Sequence, residues 1–445
     1  LAKRDDRDPS KPRLELSQAL RALRHRNFRL FIVGQLISVV GTWMQSVALG
    51  WYVYRLSRAP FLLGLVGFAS QIPSTFLAPL AGVWVDRTNR HRMVIGTQVL
   101  SMAQALVLSA LVLTHRATIW DVVLLSLFLG LVNAADVPAR QSFLVEMVNG
   151  REDLANAIAL NSSMFNAARF VGPTIAGLLI GIIGEGWIFL LNALSYIPVI
   201  AALLMMRIEG RQAPEGPPAP VWRNLKEGFL YAAGFSPIRS ILLLCAVTSL
   251  MGISYNVLLP VVATEVLQGG AHTYGFLTAA TGVGALAAAV ALAARSSVRG
   301  LARVIGVSSL VFSAGLVLLS FSRNAWLSGA LLLLAGYGLM SQMASSNTIL
   351  QTLVDDDKRG RIMSLYTVAF MGMIPIGSLL SGTLAARIGT TQTLLVGGLC
   401  CGLGGALFLR SLPAMRREMR PVYTRLGIVP EVARGLEGGS QRPVS

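Results

Sequence analysis

Apolar runs of roughly 20 residues or more alternate with short polar links along the whole chain. Six lie at 28–54, 60–84, 93–114, 119–146, 154–182 and 186–207, and six more at 237–265, 273–294, 301–321, 325–352, 362–387 and 391–411. Each can cross a hydrocarbon core of ~30 Å as an α-helix, which satisfies its own backbone hydrogen bonds in lipid. The pattern predicts an all-α multi-pass membrane protein with twelve transmembrane helices. Two amphipathic stretches flank the runs: Leu16, Leu20 and Leu23 among Arg21, Arg24 and Arg26, and Trp222, Leu225 and Phe229 beside Arg223 and Lys226. Their helical spacing predicts helices lying in the membrane interface. A Pro-rich link (Pro214, Pro217, Pro218, Pro220) precedes the second. The expected organisation is a disordered tail over 1–15, a six-helix bundle over 16–207, a linker over 208–236, a second six-helix bundle over 237–412 and a tail over 413–445.

The polar links orient this array. Residues 82–92, GVWVDRTNRHR, crowd Asp86, Arg87, Arg90, His91 and Arg92 between two apolar runs, and such charge must lie outside hydrocarbon. Faces shared with the N-terminus also hold the basic residues of 21–29, 151, 207–226, 295–303, 358–361 and 410–425; the other faces hold little beyond Arg55, Arg58, Arg116, Arg323 and Arg387. Cationic loops stay in the cytoplasm, so both termini are expected there, with the protein in the cytoplasmic (inner) membrane among its lipids. The net charge of +17 is spread over these links, which fits orientation and lipid headgroups rather than a nucleic-acid surface. Cys245, Cys400 and Cys401 lie in apolar runs, and His25, His91, His115 and His272 are scattered. No disulfide framework, metal site or cofactor is expected. No phosphate-binding Gly-Lys-Ser/Thr loop appears, and no cleavable leader, since 1–29 is polar and basic. An enzyme is not expected, because no nucleophile–base arrangement stands out; a monomer is.

Polar residues inside the runs are the candidate chemistry. In the first run Gln35, Ser38, Thr42 and Gln45 share one helical face; the fifth has Ser162, Asn166 and Arg169; the tenth has Ser341, Ser345, Thr348 and Thr352 with Gln342 and Asn347 adjacent. Lining a solute cavity is the expectation, and helix–helix hydrogen bonding is the alternative. Arg169 lies some 15 residues into its run, roughly 22 Å along the axis, with Asn133 of the fourth run level with it. It can pair with that helix structurally or meet an anionic substrate, and both readings stand. Pro138 and Pro173 each remove a backbone hydrogen bond and can kink a span. Gly172, Gly177 and Gly184 recur with the same spacing at Gly377, Gly382 and Gly389, 205 residues later, which predicts a duplicated six-helix unit.

GVWVDRTNRHR resembles the loop motif G-x-x-x-D-R-x-G-R-R/x of the major facilitator superfamily, with Asn89 where Gly is usual. Asn tolerates a left-handed backbone, so the turn is expected to survive. RNFRLFIVGQLISVVGTWMQ (26–45), NAADVPARQSF (133–143) and NAARFVGPTIAG (166–177) are similar to the subgroup containing bacterial enterobactin and other siderophore exporters. The resemblance implies two pseudo-twofold bundles around a central site. It also implies a gate from Gly82, Asp86, Arg87, Arg90, Asp136, Arg140 and Arg361 that clasps the cytoplasmic side when the transporter faces out, with Asp86 meeting the start of the eleventh helix and Arg87 or Arg90 pairing with Asp136. Gly172-Pro173 with Gly177 resembles a motif linked to closing the outer side; ordinary small-residue packing is the alternative. The implied function is export of a small amphipathic or siderophore-like molecule, with the proton gradient as energy source. Asp136, Arg140 and Glu146 are candidates for proton movement. The alternatives are a lipid or lysophospholipid flippase of the same fold and a non-transporting receptor or scaffold.

Overall fold

A computed structural model describes residues 20–148, 150–206, 221–295 and 297–425. Twelve helices among them are long and apolar enough to cross a membrane. In chain order they are α1 (Arg26–Ser57), α2 (Pro60–Asp86), α3 (Arg90–Leu113), α4 (Ile119–Glu146), α5 (Arg151–Ile183) and α6 (Glu185–Leu204), then α7 (Ser236–Val266), α8 (Ala271–Ala293), α9 (Leu301–Phe321), α10 (Ala325–Leu353), α11 (Lys358–Ile388) and α12 (Thr390–Arg425). The expected tail over 1–15 and the part of the expected tail over 413–445 that follows 425 lie outside the described residues, as does the Pro-rich link of Pro214 to Pro220. Of the first amphipathic stretch, Arg21–Arg24 forms a 3₁₀ turn, and the part up to residue 19 lies outside the described residues. The second forms a linker helix, Val221–Gly234.

Local chemistry sets the ends of these helices. Pro60 opens α2, where its missing N–H costs nothing. Thr118 and Asp121 form a capping box at α4, and Asn324 accepts from the Trp326 and Leu327 N–H groups at α10. Gly184 and Gly389 end α5 and α11 at φ +78° and +93°, a backbone region that a side chain would strain. α7 contains π-helical turns at Thr248–Ile253 and Val262–Val266, and α11 has one at Val368–Gly372. The φ of Asn89 is −70°, so it does not stand in for a left-handed glycine. Its backbone is extended and its side chain caps α3 by accepting from the Arg92 N–H at 3.0 Å. An amide side chain reaches that N–H where glycine offers nothing.

The duplication is visible in space. Gly172 of α5 lies against Trp43 and the Val40 carbonyl of α1, and Gly377 of α11 lies against Leu250 and Ser254 of α7. Gly177 meets Gly275 of α8, and Gly382 meets Gly64 of α2. Helices 1, 2 and 5 of the first half thus have helices 7, 8 and 11 of the second as counterparts, and the two Gly–Gly crossings are the same contact made twice. A Cβ on Gly177 would come within 2.4 Å of the Gly275 Cα, and one on Gly382 within 2.9 Å of the Gly64 Cα. Only small residues let backbones approach so closely.

Candidate translocation pathway

The halves meet on the face opposite the 87–89 loop. There the Tyr54 hydroxyl of α1 donates to the Glu265 carboxylate of α7. Trp51 stacks on Tyr274 of α8 with centroids 6.2 Å apart, and Gly181 sits over His272. With the two glycine crossings, these contacts close that end. On the basic face the described ion pairs stay within one half or tie the linker helix to its neighbour. Arg21–Glu152 and Arg90–Glu146, both at 2.8 Å, hold the first half. Arg425–Asp355 at 2.7 Å holds the second, and Arg361–Glu227 at 2.8 Å ties α11 to the linker helix. On this side α2 and α11 last touch near mid-span, where Gly372 lies against Thr75, and nearer the basic face the described ion pairs do not join one half to the other. The molecule is closed at one end and parted at the other.

Helical geometry places the α5 polar residues in the gap. At 100° per residue, Ala168, Gly172 and Ala176 form one face, where Gly172 packs on α1. Phe170, Gly177 and Gly181 form another, packed on α8. Ser162, Asn166 and Arg169 lie on the stripe between these faces, and the lipid side carries exposed Val171, Leu178 and Ile182. Arg169 sets its guanidinium over the Trp43 ring, 5.7 Å from the centroid. Asn133 and Arg140, two turns apart on α4, share a side from which Arg140 reaches the Phe165 ring of α5 at 5.1 Å. Asn133 is partly exposed, and so is Asn347 of α10, which accepts from the Gln351 amide.

The α1 stripe belongs elsewhere. Gln35 is 1% exposed, and Ser38 and Gln45 are buried. The Gln45 amide donates to Gln104 of α3 at 3.1 Å and its carbonyl accepts from Asn192 of α6 at 2.7 Å. These residues stitch the first bundle internally rather than line a cavity, since Gly34 and Gly41 on the same side lie against α6. Thr42 is exposed and its hydroxyl donates to the Ser38 carbonyl at 2.9 Å. Gln342 repeats this correction in the second bundle: it is fully buried and donates to Thr248 of α7 at 2.9 Å. Gln45 and Gln342 thus hydrogen-bond to neighbouring helices, whereas Gln35 and Ser38 are buried by packing, the Gln35 Oε1 without a partner.

In this arrangement, parted on the basic side, the residues of the expected gate have the following partners. Gly82 and Asp86 stand in the last turns of α2, but their surroundings lie outside what the structure describes. Arg87 is exposed. Arg90 meets Glu146, at the end of α4, and not Asp136. Asp136 is 3% exposed and accepts from Thr97 at 2.7 Å and Gln98 at 2.9 Å, with Arg140 at 3.1 Å. The reason is depth: Asp136 lies ten residues before Glu146, roughly 15 Å further into the bundle. Sequence reasoning overlooked Glu146 as the loop's partner, although its place at the last turn of its span signals proximity to the loop. It also overlooked Gln98, Gln104 and Asn192, whose only signal was their polarity inside apolar runs. Pro138 and Pro173 lie inside α4 and α5.

Two six-helix halves that close one end and part at the other make this a twelve-helix transporter of the major facilitator superfamily. The chain belongs to the transmembrane secretion effector family, which residues 17–430 match. It is 25% identical to the staphyloferrin A transporter of Staphylococcus aureus over 83% of this chain and 92% of that protein. It is 26% identical to the enterobactin exporter EntS of Shigella boydii over 88% and 93%. Among solved structures, a bacterial homologue of the human lysosomal transporter Spinster superposes with a TM-score of 0.65 at 13% identity, covering 89% of this chain and 98% of that one. Family and fold are those of multi-pass membrane transporters of small molecules.

Proposed function

We propose that the protein exports a small amphipathic or siderophore-like molecule across the cytoplasmic membrane by alternating access, in exchange for protons. The single observation that carries this reading is the asymmetry between the ends: contacts between the halves on one face and, on the other, described ion pairs that stay within one half or join the linker helix. With the cationic face in the cytoplasm, as positive-inside orientation requires, the molecule is open inward and ready to load. Export then needs the glycine crossings to part and the basic face to close. On closing, Asp86 takes its place at the start of α11, where a helix N-terminus favours an anion, and Arg361 is already fixed there by Glu227. Asp136 is the carboxylate best placed to carry the proton, because protonation would release Arg140 from it. The relatives' names support a siderophore-like substrate, and lipid surrounds a monomer.

The test is flux in proteoliposomes under an imposed pH gradient. Wild-type protein is expected to move an amphipathic substrate against the proton flow, and a protonophore to abolish it. Asp136→Asn is expected to keep exchange at equilibrium while losing accumulation. Flux indifferent to the gradient would remove proton coupling, and no flux of any compound would remove transport.

A further inference from the structure

Arg169 differs from the other arginines that the helices carry inward. Arg55 holds Glu185 at 2.9 Å, Arg90 holds Glu146, Arg140 holds Asp136 and Arg361 holds Glu227. Among the described residues Arg169 makes no ion pair or hydrogen bond to a carboxylate; its neighbour is an aromatic face. It stands fourteen residues before the end of α5 at Ile183, roughly 21 Å from that end, too deep for snorkelling to complete its solvation. It is partly exposed, at the head of the open gap, with its own carbonyl 3.5 Å from where a Cβ on Gly282 of α8 would lie. Just beyond it the Gly177–Gly275 crossing shuts the far end.

We infer that Arg169 is the anion-binding group of the pathway and that the transported molecules are organic anions. The inference rests on the transport reading above and adds the substrate's charge. Stacking on Trp43 occupies the flat face of the guanidinium and leaves its N–H edge free, and that edge fits a carboxylate or a similar oxyanion bidentately. Nearby, Arg140 lies over Phe165 in the same manner, but Asp136 already neutralises it. One wall of the pathway therefore offers two aromatic rings and one uncompensated positive charge. An amphipathic anion matches it: its apolar body lies along Trp43 and Phe165 and its charged group at Arg169. A cation of the same shape would meet repulsion at the deepest point of the gap.

Two probes sharing one aromatic body make the test: anilinonaphthalene sulfonate, an anion, and N-phenyl-1-naphthylamine, which is neutral. Binding to the purified full chain in nanodiscs is measured alongside gradient-driven flux, in wild type, Arg169→Gln and Arg169→Lys. Wild type is expected to prefer the anion. Arg169→Gln should lose about tenfold or more in affinity for the anion alone, the scale of a charge-assisted contact. Arg169→Lys keeps the charge but not the flat bidentate edge, so it should retain the preference for the anion at an affinity between those of Arg169→Gln and wild type, which also shows that the position tolerates exchange without loss of folding. Equal loss for both probes, or anion binding unchanged in Arg169→Gln, would overturn the assignment. Flux of neutral probes unaffected by Arg169→Gln, without anion preference, would sink the anion site and leave transport standing. Anion binding lost in Arg169→Gln without flux in any variant would do the reverse.

Discussion

At the scale of single residues, the decisive distinction is whether a polar group faces another helix or the gap. Period alone shows that Gln35, Ser38 and Gln45 share a face of α1, and it cannot show which way that face looks. The partners of Gln45, namely Gln104 and Asn192, come from helices far away in sequence. On α5 the same kind of stripe looks into the gap, because the glycines beside it fix which faces are packed. Glycines near a polar stripe are thus the better sequence signal of its direction. The wiring of the charged loop gives a direct test. In a double-mutant cycle on thermal stability, Arg90→Ala with Glu146→Ala should show a coupling of roughly 0.5–3 kcal/mol, the range for contacting charges. Arg90→Ala with Asp136→Ala should be additive within about 0.3–0.5 kcal/mol, as for separated sites. The opposite ranking would restore Asp136 as the partner of the loop.

Among elements, the run lengths located all twelve spans, because a stretch that must cross hydrocarbon has little freedom in composition. Helix α12 runs on to Arg425, well past the apolar run ending at 411, and carries Pro413 and Pro421 inside it, so the expected tail over 413–445 begins as helix. The apolar pattern does not foretell the π turns of α7 and α11, although Pro260 stands two residues before Val262–Val266 and Pro375 three residues after Val368–Gly372. The glycine repeat was legible, and its contacts explain it. Gly177→Val would place a branched side chain where the Gly275 Cα already lies. It should prevent the far end from closing and hold the protein open on that side. With Cys245, Cys400 and Cys401 replaced, a cysteine at Thr278 should then react faster with an impermeant thiol reagent added from that side. Unchanged reactivity would mean that the crossing does not seal.

For the whole molecule, the sequence carried the duplication and the charge asymmetry, but not which end is closed. That depends on a small difference between two packings of the same interfaces, and no local pattern encodes it. The contacts at the far end and the separate ion pairs at the basic face place this structure in one of the two arrangements that alternating access requires. The most direct measurement of the other is a pair of electron–electron distance distributions in lipid. One set of spin labels spans the basic face at Arg92→Cys and Gly360→Cys, and the other spans the far face at Leu56→Cys and Arg387→Cys. As substrate or pH is varied, the basic-face distance should shorten while the far-face distance lengthens. Distances that stay fixed at both ends, or that grow and shrink together, would contradict two halves taking turns.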